Sequence, residues 1–539
     1  MARRGSSLPD YFSPTAITTC LSRCFARLSF LSLFSLLVAC GAPSNTSSPA
    51  SISLPDRPFV VALDSAPTAF DPRFATDAYS ERITHLVFSA LIRLDPQDRI
   101  VPDLAERWEI EGHRYTFYLR KAVRFHDGRS LTSADVRYTY ESMLDPAVAS
   151  PFRKTYEIIE RIDTPNPQTV SFILRGPHAP FLFSLNRGIV PKGQEAISTH
   201  PVGSGPFSFI SYEPDHAVEL RAFPDYFGRV PTIIGQAPKI ARLLFKIIPD
   251  QATRLLALQK GGVDLIQNGF IPDLLPRLQK NSQFKIIKGP STTYSYLGFN
   301  LADPVLKNKN VRLAIAHAID KEKIAKYIFQ DQVTPAHSLL TERHFAYAPT
   351  KRYPFSREKA IQLLDEAKRY PSPVTGERFH LTYKTSQNEM GRMVAEVIQS
   401  QLSEIGIGVT IRSFEWGTFY SDVKSGNFQL FSLSWVGVND PDIYYDLFHS
   451  SAIPPNGANR VRYQNKRMDT LLASGRMILQ PNRRKDVYKE VQEILAEEMP
   501  YVSLWHAENV AVMKKEVQGY TLYGNGDFFS LKDVTRQPI

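Results

Sequence analysis

The sequence predicts an α/β fold divided into more than one domain, and three observations carry that prediction. Segments with helical spacing of apolar residues alternate with short apolar strands, and many of the switches fall at glycines. The chain has 539 residues, more than one hydrophobic core can serve. Beyond the N-terminus there is no apolar run of transmembrane length, and there is no internal repeat.

The first segment reads as a leader. Arg3, Arg4, Arg23 and Arg27 precede an uncharged apolar run from Leu28 to Ala39. That run would make about 18 Å of helix, short of the roughly 30 Å of a bilayer core, so residues 1–39 are expected to be a signal peptide. Leu37-Val38-Ala39-Cys40 resembles the bacterial lipobox, which implies that Cys40 becomes the lipidated first residue of the mature chain. Cys20 and Cys24 fall inside the leader, so no free thiol or disulfide would remain. Cysteine nucleophiles, thiolate zinc sites and iron–sulfur clusters are thereby excluded. Residues 40–54, small and polar, form a flexible tether. The net charge of +10 falls to about +7 without the leader and its Asp10. With no long basic block or aromatic-basic stripe, it is no footprint for nucleic acid and suits an anionic envelope surface.

In the body, Phe59–Leu63 is a short strand, Phe70-Asp71-Pro72 a turn, and Ser80–Leu91 a helix spaced through Ile83, Leu86, Val87 and Leu91. Tyr115, Phe117 and Leu119 alternate with polar neighbours as in a strand with one buried face. Asp127-Gly128 turns the chain, and Thr132 with Asp135 has capping-box spacing for a helix burying Val136, Tyr140 and Met143. His126-Asp127 therefore belongs to scaffold. Phe207 to Leu220 reads as a hairpin closed around Glu213-Pro214-Asp215. Asp250 caps a helix carrying Leu255, Leu256 and Leu258; Asn310–Asp320 is helical, and Asp320 caps the next helix. After Ser356 a helix buries Ala360, Leu363, Leu364 and Ala367, and Met393–Ile405 ends at Gly406 before a strand with Val409 and Ile411.

A larger pattern overlies these elements. Pro102, Leu104 and Ala105 precede Trp108; Phe117, Leu119 and Arg120 come next, then Val123, Phe125-His126-Asp127-Gly128 and Ala134-Asp135-Val136. Farther on stand Gly203-Ser204-Gly205-Pro206-Phe207, Tyr226-Phe227-Gly228, Gly262-Val263-Asp264, Ala318-Ile319-Asp320, Gly406-Ile407-Gly408-Val409 and Glu415-Trp416. From about Phe59 to the C-terminus the chain resembles the family 5 extracytoplasmic solute-binding proteins, the peptide- and nickel-type receptors of ABC importers. The resemblance implies a two-lobed periplasmic-binding-protein fold, class II-like, with a ligand cleft between lobes. Residues 55–80, 203–293 and 505–539 would form lobe I, 81–202 an inserted subdomain, and 294–504 lobe II.

The function expected of such a chain is binding without catalysis. There is no Gly-x-Ser-x-Gly elbow, phosphate loop or His-Glu-x-x-His helix, and neither cofactor nor metal is expected. His126, His317, His449 and His506 are scattered. By resemblance, the cleft is walled by Tyr294, Tyr296, Trp416, Trp435 and Trp505, with Tyr79, Ser80 and Phe152 placed by position. Val436, Gly437, Val438 and Asp440 continue the loop beyond Trp435. In the peptide-binding members resembled, the third residue after this Trp is an Asp that pairs with the peptide ammonium; here it is Val438. Such a charge-assisted bond contributes about 1.5–3 kcal/mol. Asp440 or Asp442 could approach from a shifted loop, the ligand could lack a free amine, or another residue could hold it; Asp440-Pro441 can equally be turn chemistry. The expectation is a monomeric, lipid-anchored receptor, periplasmic or cell-surface, that hands a small peptide or other solute to an ABC permease. The alternatives are a metal chelate, a sugar or an amine-free solute as ligand, or a sensor or chaperone independent of transport.

Overall fold

A computed structural model describes residues 57–537 apart from 195–196, 228–236, 271–273 and 368–375. The leader, Cys40, the whole tether and Gly228 lie outside the described residues. Among those described, eleven strands join one mixed sheet. Its order is Ile407–Phe414, Phe379–Ser386, Leu430–Trp435, Phe284–Phe299, Tyr501–Lys514, Leu265–Gln267, Phe59–Leu63, Arg242–Ile247, Ala217–Ala222 and Phe207–Glu213, with Val333–Pro335 on the side of Tyr501–Lys514.

Two strands are much longer than the rest. Phe284–Phe299 and Tyr501–Lys514 pair antiparallel from Phe284 opposite Lys514 to Gly298 opposite Tyr501, and their register shifts between Pro290 and Tyr294 and again between Ser295 and Tyr296. On one side of these bulges Leu265–Gln267 pairs with Met513–Ala511, and Phe59–Leu63 continues the sheet in parallel. On the other side Leu430–Trp435 pairs with Phe299–Tyr294. The ribbon of two strands thus carries both halves of the sheet.

Apolar side chains divide the same way. Phe59, Val61 and Leu63 enter one cluster with Phe245 and Leu265, while Val60 and Ala62 enter another with Leu258, Ile266 and Val512. A strand buried on both faces needs an unbroken apolar run, which FVVAL supplies. Beyond the bulges Leu297 and Phe299 pack with Leu381 and Ile407, and Tyr294 and Tyr296 pack with Phe431 on the opposite face. A separate four-stranded antiparallel sheet, Ala105–Glu111, Arg114–Leu119, Thr169–Leu174 and Ile159–Asn166, packs Tyr115, Phe117 and Leu119 against helix Ser133–Leu144.

Local chemistry sets the helix starts. Thr132 N donates to Asp135 Oδ2 at 2.8 Å in a full capping box, and Val136, Tyr140 and Met143 are buried as expected. Asp250, Asp320 and Ser356 accept from the backbone N–H of Thr253, Lys323 and Lys359. Gly406 turns at φ +83° after helix Glu389–Ser403. Several details differ from the sequence reading. The helix expected at Ser80–Leu91 runs from Ala78 to Val87, because Asp77 accepts from the N–H groups of Tyr79 and Ser80 and starts it earlier; the chain is extended from Phe88. The helix expected from Met393 begins at Glu389, capped by Asn388. Leu256 is 47% exposed, on the side of its helix away from Leu255 and Leu258.

His126 ties two distant motifs together. Its N–H donates to Gly203 O at 2.8 Å, Gly203 N–H donates back to Nδ1 at 3.3 Å, and Nε2 donates to Gly205 O at 3.0 Å. Burial pushes the imidazole down to about 4, which keeps Nδ1 free to accept. Gly205 N–H also reaches Val87 O at 2.8 Å, and a Cβ on Gly203 or Gly205 would strike the carbonyls of Val87 or Leu86. Gly203→Ala is expected to cost more than about 2 kcal/mol in urea unfolding, because backbone cannot yield as a side chain does. Gly176→Ala, whose Cβ meets nothing within 4 Å, is expected to stay within about 0.5 kcal/mol of the parent; equal losses at both sites would refute the packing explanation.

Candidate ligand-binding site

Strand pairing brings the aromatic residues of the site together. Tyr294 lies opposite Trp435 and Tyr296 opposite Leu433. Past Trp435 the chain leaves the sheet through Val436, 66% exposed, and Gly437 at φ +74°, then buries Val438, whose N–H donates to Thr292 O at 3.2 Å. That bond lands within the first bulge of the long ribbon. The positive φ at Gly437 lets the loop fold back so sharply.

Behind this loop is a stack of aromatic rings. Tyr296 lies 4.1 Å from Tyr501 at 17° between planes, and Trp435 lies nearly parallel to Tyr296 at 6.5 Å. The Arg460 guanidinium sits 4.4 Å from the Trp435 ring and donates to Tyr296 Oη at 3.3 Å and to Tyr420 Oη at 3.0 Å. Tyr420 in turn stacks on Trp416 at 5.5 Å. Burial disfavours the Arg460 charge, but Tyr296, Tyr501 and Tyr420 around it outweigh that and raise it above the usual arginine range. Burial raises the Tyr296 phenol too, so it remains a neutral hydrogen-bonding group. Sequence reading did not select Arg460, because the segment Asn459-Arg460-Val461 carries no local signal.

One large cavity borders the stack, and a second borders the loop at Val438. The first, of about 490 Å³, is lined by Ser295, Tyr296, Trp416, Ser432, Ser434 and Trp505 among others and contains no charged residue in its wall. Ser295 Oγ and Ser434 Oγ are 2.8 Å apart there. The other, of about 460 Å³, is lined by Tyr115, Leu182, Phe183, Thr292, Val438 and Arg484, with Asp98 and Arg343 also in its wall. Asp98 was missed by sequence reading, since an acid in the turn Asp95–Arg99 looks like a solvated turn residue. A third cavity holds only about 60 Å³ and reaches Tyr294 and Lys321. Lys321 Nζ donates to Ala336 O at 2.6 Å and Ser503 O at 3.1 Å, and burial lowers it to about 8.

The residues selected from sequence are distributed among these places. Tyr296, Trp416 and Trp505 share the uncharged cavity, Val438 lines the charged one and Tyr294 the small one. Trp435 stands behind Tyr296, while Val436 and Gly437 are exposed. The Asp440 carboxylate takes both Arg484 Nη atoms at 2.6 and 2.7 Å, and Asp442 takes Arg476 Nε and Nη2 at 2.7 and 2.9 Å, so both acids of this loop are engaged by guanidinium groups. Tyr79 Oη donates to Asp64 at 2.8 Å, and Ser80 Oγ accepts from the N–H groups of Thr68 and Ala69. Phe152 lies under Arg187 at 3.9 Å. These three line neither large cavity. Among the described residues no group of three or more His, Cys, Asp or Glu is arranged to hold a metal, and no helix is long and apolar enough to cross a membrane.

Comparison with known proteins agrees with this architecture. Residues 99–455 match the bacterial extracellular solute-binding proteins, family 5 middle. Di/tripeptide-binding protein 2 of Pseudomonas aeruginosa is 29% identical over 525 residues, spanning 91% of this chain and 96% of its own. The structure of the oligopeptide-binding protein AppA of Bacillus subtilis, in complex with a nonapeptide, is similar at a TM-score of 0.73 and 27% identity, over 89% of this chain and 99% of that one. NikZ of Campylobacter jejuni, in complex with Ni(L-His), gives 0.74 at 25% identity, again over 89% and 99%. The fold is that of the periplasmic binding proteins. A match across more than half its length places this chain in family 5 of the bacterial extracellular solute-binding proteins, as a binding protein and not an enzyme.

Proposed function

We propose that this protein is the receptor of an ABC importer for a small peptide-like solute, and that the solute lies along the wall made by Trp416, Tyr296 and Val438. The observation that carries the reading is the pair of cavities lined by residues flanking Tyr294 and Trp435 in sequence, one apolar and hydroxyl-lined, the other bearing charge. Peptides present this same mixture of apolar side chains, amides and terminal charges. Relatives named for binding di- and tripeptides support it.

The working cycle would be closure of two lobes about the bulged ribbon. Residues 55–80, 203–293 and 505–539 form lobe I in this reading, 81–202 the inserted subdomain and 294–504 lobe II. Ligand that touches both lobes favours the closed form, and the closed form docks on the permease, a population shift by differential affinity. Lipid at Cys40 would hold a monomeric receptor at the envelope membrane.

Purified protein, unfolded and refolded to strip any carried ligand, is expected to bind members of a di- and tripeptide library in native mass spectrometry. Saturation at a hundred times Kd should add about 2.7 kcal/mol of stability. Failure of every peptide to bind or to raise the Tm would refute the peptide reading, and stabilisation by Ni(L-His) instead would move the ligand to a metal chelate. Trp416→Ala, at a side chain 54% exposed, is expected to leave folding intact and to weaken the bound peptide by about 2 kcal/mol or more; undiminished affinity would remove Trp416 from the wall. Asp440→Asn is expected to destabilise the unliganded protein by about 3 kcal/mol in urea, since it strands the Arg484 guanidinium, 4% exposed. An unchanged unfolding midpoint would show that the pair does not hold the loop.

A further inference from the structure

The charged cavity contains one acid. Among the residues in its wall Asp98 is the sole carboxylate, and the cations there differ in how they are satisfied. Arg484 is held by Asp440, and Arg99 Nε donates to Asp95 at 2.7 Å. Arg343 is exposed and forms no ion pair among the described residues, and neither does Asp98. Asp98 Oδ1 is closed off from solvent with no hydrogen-bond partner. Native structures rarely leave such an atom unpaired, because burying it without a partner is costly.

The position of Asp98 is built rather than incidental. The residue is held at φ +59°, and its carboxylate rests on Gly524, where a Cβ would strike Oδ2. Gly524 O accepts from Thr292 N–H at 3.0 Å, and Thr292 O accepts from Val438 N–H at 3.2 Å. One continuous hydrogen-bonded path therefore joins the seat of Asp98 to the backbone of Val438, whose side chain has no charge to offer.

We propose that Asp98 is the residue that receives the positively charged group of the ligand, a primary ammonium such as a peptide N-terminus. The inference rests on the peptide-like reading of the cleft and names the group that would set its specificity. An ammonium in the cavity would give this half-buried carboxylate the ion-pair partner it lacks among the described residues. Burial first, then repulsion by Asp95, raises Asp98 to about 6 in the unliganded protein, against the Asn525 backbone N–H and Arg343, which lower it. Arg99 on the same turn, and Arg343, His344 and Arg484 across the cavity, complete the charged and titratable groups of its wall. Cation binding is therefore expected to strengthen as pH rises through about 6.

The test compares the purified parent with Asp98→Asn, using a tripeptide library, the strongest binder from it and that peptide's N-acetyl form, by native mass spectrometry and calorimetric titration. The parent should prefer the free amine, and Asp98→Asn should weaken the free-amine peptide by about ten- to a hundredfold while leaving the acetylated form unaffected. Equal binding of free and acetylated peptide by the parent, or undiminished free-amine binding by the variant, would overturn the role of Asp98 and leave the peptide reading standing. If no peptide binds, the peptide reading fails, and putrescine and choline are titrated instead. Binding of either by the parent but not by the variant upholds Asp98 as a cation seat, and binding of neither overturns it. A stability readout guards against misfolding. The carboxylate of Asp98 is raised in the folded state, so its ionisation costs stability as pH climbs through about 6. Asp98→Asn should then melt on the order of a degree or two above the parent at pH 8 and level with it below about pH 4; a variant less stable than the parent at pH 8 would overturn the seat as drawn.

Discussion

The antiparallel pairing of Phe284–Phe299 with Tyr501–Lys514 is the constraint on which the rest of the molecule depends. Apart from Val333–Pro335, which pairs with Ala507–Trp505 midway along it, every other strand of the large sheet attaches to one of its two ends, directly or through a neighbour. The register slips where Pro290, Ser291 and Thr292 pass Glu508 and Ala507, so the ribbon is least regular between the two attachments. A bulge concentrates bending and twist in a few residues, and the loop after Trp435 fastens at that place through Val438 and Thr292. Geometry at the cleft is therefore tied to the one part of the sheet whose ladder is already interrupted.

Charge in the cleft is distributed with similar economy. Asp440 and Asp442 look available in the sequence, but each is locked in a two-bond fork with an arginine. Those forks brace the loop against helices Lys466–Met477 and Pro481–Glu498, which supply Arg476 and Arg484. Arg460 is treated differently, caged by Trp435, Tyr296 and Tyr420 with no carboxylate partner among the described residues. A guanidinium stacked on rings stiffens an aromatic wall without adding an anion that a ligand would have to desolvate.

What could be read from the sequence was whatever depended on near neighbours. Thr132 with Asp135, Asp250, Asp320 and Ser356 start their helices through bonds spanning three residues, and period-2 alternation in Tyr115, Phe117 and Leu119 shows which face is buried. Asp77 capped a helix earlier than apolar spacing suggested, because a cap acts on N–H groups and leaves no trace in hydrophobic periodicity. The aromatic residues Tyr296, Trp416 and Trp505 could be nominated only by resemblance, and the structure places them around one cavity. Asp98 and Arg460 were illegible. Asp98 is enclosed by Gly524 from the far end of the chain, and Arg460 by rings from three other segments, so neither environment leaves a mark beside the residue itself.

The middle of the large sheet is filled by a strand that comes late in the chain. Tyr501–Lys514 lies between Phe284–Phe299 and Leu265–Gln267, and Arg536 closes on Asp264 beside the first strand. During synthesis both neighbouring strands exist for more than two hundred residues with an unpaired edge and no partner to cover it. Closing the native sheet therefore waits on residues 501–514, and the long-range pairing it needs is slow to form. For a chain read as bound for export, that delay is useful, since a polypeptide that has not yet closed its central sheet is still extended enough to be threaded across a membrane.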